Sequence, residues 1–128
     1  MRALLDTHAL LWMLAGDPRL GRVAAQVVTA LDSELWFSVA SYWEIGIKVS
    51  LGKLQLEAGW QATLQREMAQ NRIQWLHVTP DHVHGVVDLP FLHRDPFDRL
   101  LVAQARHEAL TLLSVDPQVR QYDVASAW

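Results

Sequence analysis

Cysteine is absent from the chain, which removes disulfide staples, a thiolate nucleophile and every cysteine-ligated zinc or iron centre. Oxygen-ligated hard metals remain open. Long apolar runs are also missing, since none approaches the ~18 residues of a membrane-spanning helix. Met1-Arg2-Ala3-Leu4-Leu5 begins like a signal peptide, but Asp6 and His8 interrupt any apolar stretch. A cytoplasmic protein is the expectation. Basic charge is scarce: 11 Lys and Arg against 14 Asp and Glu give a net charge of -3. That is not the footprint of a protein that grips nucleic acid by charge alone. The H-E-x-x-H pattern of zinc hydrolases does not occur, because His107-Glu108 is followed by Ala109-Leu110-Thr111. His82 and His84, two apart, would not share a helix face. Repeats, low-complexity tracts and long linkers are lacking as well, which leaves one domain over residues 1–128.

What is present is alternation. Ala3 to Leu5 suit a short buried strand ended by Asp6, and Ala9 to Leu14 a helix stopped near Gly16-Asp17-Pro18. Leu20, Val23, Ala24, Val27, Val28 and Leu31 follow the spacing of one buried helical face. Leu35 to Val39 read as the next strand. A helix from Ser41 to Leu51 stops at Gly52, and Trp60 to Gln70 suit another before a strand over Ile73 to Val78. Thr79-Pro80 opens a helix as N-cap and first position, bounded by Pro90. Asp95-Pro96 repeats the device for a helix to Glu108, with Leu101, Val102, Ala105 and Ala109 on its buried side. A fourth strand, Leu110 to Val115, ends at Asp116-Pro117. Strands alternating with helices imply crossover connections and a mainly parallel sheet covered on both faces.

In such sheets ligands bind beyond the carboxyl ends of the strands. Asp6 and Asp116 directly follow predicted strands, Glu44 opens the helix after the second strand, and Asp98 opens the helix that feeds the fourth. Four carboxylates on one rim repel each other unless a cation lies among them, and hard divalent ions accept such ligands. With those four set aside, the rest of the chain has a net charge of +1, and Arg94, Arg99 and Lys48 could meet phosphates. Each acid also fits an ordinary role. Glu44 could close a capping box with Ser41 or pair with Lys48 four residues on. Asp98 suits the first turn of a helix capped by Asp95, and Asp116-Pro117 could be a simple turn. Asp6 is hardest to explain this way, because a carboxylate directly after an apolar strand risks a costly buried charge. The six tryptophans are expected mainly in core or interface positions.

Four segments carry a resemblance to the PIN-domain toxins of VapBC toxin-antitoxin pairs. They are Leu4-Leu5-Asp6-Thr7-His8-Ala9-Leu10-Leu11-Trp12; Ser38-Val39-Ala40-Ser41-Tyr42-Trp43-Glu44-Ile45 with Lys48 and Gly52-Lys53-Leu54; Arg94-Asp95-Pro96-Phe97-Asp98-Arg99-Leu100-Leu101-Val102-Ala103-Gln104-Ala105; and Leu113-Ser114-Val115-Asp116. The resemblance implies a PIN-like three-layer α/β/α fold with a mainly parallel sheet of four to five strands. It also implies a Mg2+- or Mn2+-dependent endoribonuclease with Asp6 and Asp98 as principal metal ligands. Glu44 and Asp116 would complete the pocket, and Thr7 and Ser114 would add hydroxyl contacts. Ser114 stands where the family often has threonine, and the hydroxyl is kept. Asp95 could exchange roles with Asp98. A VapB-like antitoxin lying across the pocket, RNA as substrate, and a homodimer or higher assembly are the implied partners. The competing expectation is a catalytically silent PIN-like module that binds RNA or protein. An aspartyl phosphatase using Asp6 is disfavoured, because Asp6-Thr7-His8 lacks the second aspartate of a D-x-D pair.

Overall fold

In the computed structural model, which describes residues 1–128, the first apolar run forms β1 (Arg2–Leu5) at the centre of a five-stranded sheet. Ala3 and Leu5 enter one apolar layer and Leu4 the other, all three fully buried. A strand covered on both faces reads as a continuous apolar run rather than an alternation. The chain continues as α1 (Thr7–Ala15), α2 (Arg22–Thr29), β2 (Glu34–Ser38), α3 (Val39–Ser50), α4 (Trp60–Gln70) and β3 (Ile73–Leu76). It then forms α5 (Pro80–Asp88), α6 (Pro96–Glu108), β4 (Thr111–Leu113), α7 (Pro117–Arg120) and β5 (Ser126–Ala127). Strand order is β3-β2-β1-β4-β5 and every pairing is parallel.

Helices α1 to α4 cover one face. Ala9, Leu10, Ala24, Val27, Ile45, Leu64 and Met68 meet Phe37 and Leu113 there. The other face lies under α5 to α7, where Leu101, Val102, Ala105 and Val119 pack on Leu4 and Leu112. The result is the expected three-layer α/β/α arrangement. Truncating a fully buried leucine such as Leu4 in layers of this kind costs about 2–5 kcal/mol.

Several local expectations are corrected. Helix α1 begins at Thr7, two residues early, because the Asp6 carboxylate caps it by accepting the Ala9 N–H at 2.8 Å. Helix α3 begins at Val39, capped by Ser38. Ser41 therefore lies inside the helix, its buried hydroxyl has no partner, and the Ser41–Glu44 capping box does not form. Leu31 falls beyond α2 and is 85% exposed, so the buried face there is narrower than its spacing suggested. Ala109 is not a buried helical residue but the left-handed cap of α6, at φ 54°. The short β5 was not expected as a separate element, because two residues carry no periodicity. Trp43, at 65% exposure, lies outside the core, which leaves it the interface placement of the two expected for the tryptophans.

The topology sets the position of the site. From β1 the chain winds to β2 and β3 on one side, then crosses to β4 on the other. The strand order thus reverses between β1 and β4, and the crevice beyond their carboxyl ends is where open α/β sheets bind ligands.

Candidate active site

Asp6 sits at that crevice, its backbone N–H donating to the Leu113 carbonyl at 3.2 Å, so the ends of β1 and β4 are tied together at this residue. Burial pushes its carboxyl pKa above the ordinary 3.8, and the charge of Asp116 pushes the same way. The Ser114 hydroxyl, the Ala9 N–H and the charge of His8 pull it back. Ser114 is fully buried at the end of β4, and its oxygen accepts the Asp116 N–H at 3.2 Å. Asp116 in turn caps α7 through Gln118 N–H at 2.8 Å. In place of the simple turn expected at Asp116-Pro117, Asp116 is the N-cap of a short helix, and it lies near enough to Asp6 and Asp98 for its charge to act on both.

Glu44 reaches the rim from the second turn of α3. The Thr7 hydroxyl donates to its Oε1 at 2.7 Å, and Lys48 Nζ lies 3.4 Å from Oε2. Freed from capping, Glu44 is 9% exposed, and its carboxylate is held between Thr7 at the start of α1 and Lys48 in the last turn of α3. Asp98 enters from the first turn of α6, which Asp95 caps by accepting the N–H groups of Phe97 and Asp98. Its pKa is pushed up to about 7, first by burial and then by the charges of Asp95, Asp116 and Glu44, with a hydrogen bond from His93 opposing. Asp116 repels both Asp6 and Asp98, and Glu44 repels Asp98, which links the four in one chain; Lys48 pairs with Glu44 alone. An all-oxygen set with excess negative charge fits a hard divalent cation such as Mg2+ or Mn2+.

Two residues not singled out from the sequence, His93 and Tyr122, support Asp98 together with Arg99. His93 Nε2 lies 3.4 Å from Asp98 Oδ2, and its Nδ1 lies 2.8 Å from the Tyr122 hydroxyl. Arg99 donates to that hydroxyl at 3.0 Å, leaving the phenolic proton for His93 Nδ1 and the Nε2 proton for Asp98. The donors run in one direction, from Arg99 through Tyr122 and His93 to the carboxylate. Arg99 also donates to the carbonyls of Pro90 and Val86, and at 7% exposure it is a buried strut rather than the phosphate contact considered above. The proximity of His93 to Asp95 in sequence was the available signal; Tyr122, beyond α7, offered none.

The tightest convergence of metal-ligand types is elsewhere, in His82, His107 and Glu108, whose ligand atoms lie within 4.8 Å of one another. Its hydrogen bonds argue against a metal. His82 Nδ1 accepts the Thr79 N–H at 3.1 Å, which puts the ring proton on Nε2, where it meets Glu108 Oε1 at 2.9 Å. A metal at Nε2 would force the proton onto Nδ1, against another donor. The fully buried His82 instead closes the capping box of α5 and fastens it to α6.

The PIN domain family model matches residues 3–125. The chain belongs to the PIN-domain family. A comparison with curated proteins returned no match. Among solved structures, this PIN domain is similar to a chain of VapBC2 from Rickettsia felis, determined bound to a promoter DNA fragment. The TM-score is 0.72 at 13% identity, over 99% of this chain and 98% of that one. VapBC-1 from nontypeable Haemophilus influenzae gives 0.70 at 17% identity, over 99% and 97%. FitAcB from Neisseria gonorrhoeae gives 0.66 at 21%, over 98% and 96%.

Proposed function

We propose that this PIN domain, one unit over residues 1–128, is the toxin of a VapBC-type pair and acts as a metal-dependent endoribonuclease. The carrying observation is a chain of repelling carboxylates at the switch point of a parallel sheet, Asp6 with Asp116, and Asp116 and Glu44 with Asp98, with the Asp98 pKa raised to about 7. Asp6 and Asp98 are the principal ligands of Mg2+ or Mn2+ in this reading, and Glu44 and Asp116 complete the set. A bound cation of this kind lowers the pKa of an attacking water and offsets charge on the leaving oxygen. The residues of the chain do the positioning. Thr7 fixes one oxygen of Glu44, leaving the other toward Lys48, which can take up a phosphate as substrate arrives. Ser114 holds the Asp116 backbone and steadies Asp6. His93 aims Asp98.

The structural neighbours are members of toxin-antitoxin complexes, which supports a VapB-like antitoxin as the partner that covers the acidic pocket. Cytoplasmic RNA is the substrate in this reading, and a homodimer or higher assembly is the working form. The test is incubation of the purified chain with a structured RNA in Mn2+, in EDTA, and as the Asp6→Asn variant. Fragments are expected only from the parent chain in Mn2+. Equal cleavage by Asp6→Asn would reject the site, and RNA that is bound but left intact in Mn2+ would favour the silent module.

A further inference from the structure

A cavity of about 610 Å3 opens against the acidic pocket, lined by Thr7, His8, Trp12, Arg19, Lys48 and Lys53 among others. Its volume lies within the ~300–1,000 Å3 of small-ligand clefts. Two lining residues also belong to the acidic site, because Thr7 donates to Glu44 and Lys48 pairs with it. A chain segment in the cavity would therefore lead directly to the carboxylates.

The wall is built for a planar, anionic guest. The His8 ring stacks on Trp12 with centroids 5.2 Å apart at 26°. Trp12 is itself immobilised, with the Arg19 guanidinium 4.7 Å over its ring and Trp128 against it at 5.7 Å. Asp17 holds Arg19 through contacts of 2.8 to 3.2 Å. The exposed His8 is thus a braced aromatic platform. Of the three lining cations, Arg19 is held by Asp17 and Lys48 by Glu44, while Lys53 has no carboxylate partner. In a chain of net charge -3, this places cations where a polyanion must approach four carboxylates.

The neighbouring groove, about 320 Å3, shares Leu11, Ala15 and Leu56 but offers no cation, and Glu57 and Glu67 border it. Charge separates the two. The apolar groove repels phosphates, whereas the cationic one combines a stacking surface with positive charge, as single-strand binding requires.

Resting on the ribonuclease reading, we propose that the cationic cavity is a nucleotide subsite for single-stranded RNA flanking the scissile bond. A base lies on the His8 ring and a backbone phosphate meets Lys53 and Lys48.

The experiment is fluorescence anisotropy of a labelled single-stranded oligoribonucleotide with the full chain in EDTA, where cleavage cannot intervene, at several salt concentrations. His8 and Lys53 are exposed, so their truncation spares the core. His8→Ala should weaken binding about tenfold and His8→Phe should restore it, because the contact is to a ring face. Lys53→Ala should weaken binding severalfold and flatten the slope of log K against log salt by about 0.7, the loss of one phosphate contact. Parental affinity and salt slope in both truncations would overturn the subsite, as would displacement of the oligonucleotide only by an acidic peptide. Mn2+-dependent cleavage measured alongside separates the two failures. Cleavage that persists with unchanged binding in the variants sinks the subsite alone, and its absence from the parent sinks the ribonuclease reading too.

Discussion

At its amino end helix α6 presents Asp98 to three other carboxylates; at its carboxyl end it presents Glu108 to the buried ring of His82. Both ends gather groups that bind metals, yet their hydrogen bonds differ. Around Glu108 the groups are matched: Thr79 N–H to Nδ1, Nε2–H to the carboxylate, and Arg2 to the carbonyls of Glu108 and Ala109. Around Asp98 like charges are held together by the scaffold, and the fold tolerates the strain. A closely converged set of ligand atoms is thus a poor guide to a metal centre when its lone pairs are already taken. An unbalanced set points more directly to a missing cation.

The largest expected contrast is in activity. Asp6→Asn should lower Mn2+-dependent RNA cleavage by at least ~100-fold, while Glu108→Gln stays within about threefold of the parent. A gel assay of both variants side by side would dissolve the contrast if Glu108 proved the more sensitive. Stability should invert the order. His82→Ala leaves Thr79 N–H and Glu108 without their buried partner and should cost about 2–4 kcal/mol in urea unfolding.

His93 sharpens the picture within the acidic end. His93→Ala should weaken Mn2+ binding about 10–100-fold by calorimetry with little change in unfolding midpoint, and His93→Gln should recover part of it. Loss of stability without loss of metal affinity would make His93 a packing residue only. Asp98 itself makes the metal-free stability depend on pH. Its folded pKa of about 7 lies above the ordinary 3.8, so between these values the folded, metal-free chain holds a proton that the unfolded chain has released. Stability contributed by that proton is present at low pH and is lost as pH rises toward 7. Asp98→Asn should therefore raise metal-free stability by about 1–2 kcal/mol at pH 8, with the gain shrinking toward pH 4, in thermal melts across that range. The smallest effect belongs to the cap: Ala109→Gly should stabilise by about 0.5–1 kcal/mol by relieving φ 54°.

Much of this architecture is legible in sequence because caps and strands use local chemistry. Thr79-Pro80 and Asp95-Pro96 start helices where they were expected, and the strand-to-acid junction at Asp6 lies at the end of β1. The start of α3 is not legible because Ser38 and Ser41 both suit a cap; in the fold, which buries both, Ser38 takes the role. That choice altered the meaning of Glu44, turning a candidate capping residue into one held by Thr7. The Arg99–Tyr122–His93 chain was out of reach for a different reason. Its members are joined across 23 and 29 residues by packing that no periodicity encodes.

The pairing of β1 with β4 joins Ala3 to Thr111 and Leu5 to Leu113, across nearly the whole length of the chain. During synthesis the first three strands and α1 to α4 can assemble while one edge of β1 stays open. Asp6 and Glu44 are then present without Asp98 and Asp116. The pocket can close only when β4 inserts, a non-local step that slows folding and leaves an unpaired edge exposed until it occurs. The order of translation therefore leaves the four-carboxylate set incomplete in the nascent chain until the fold is finished.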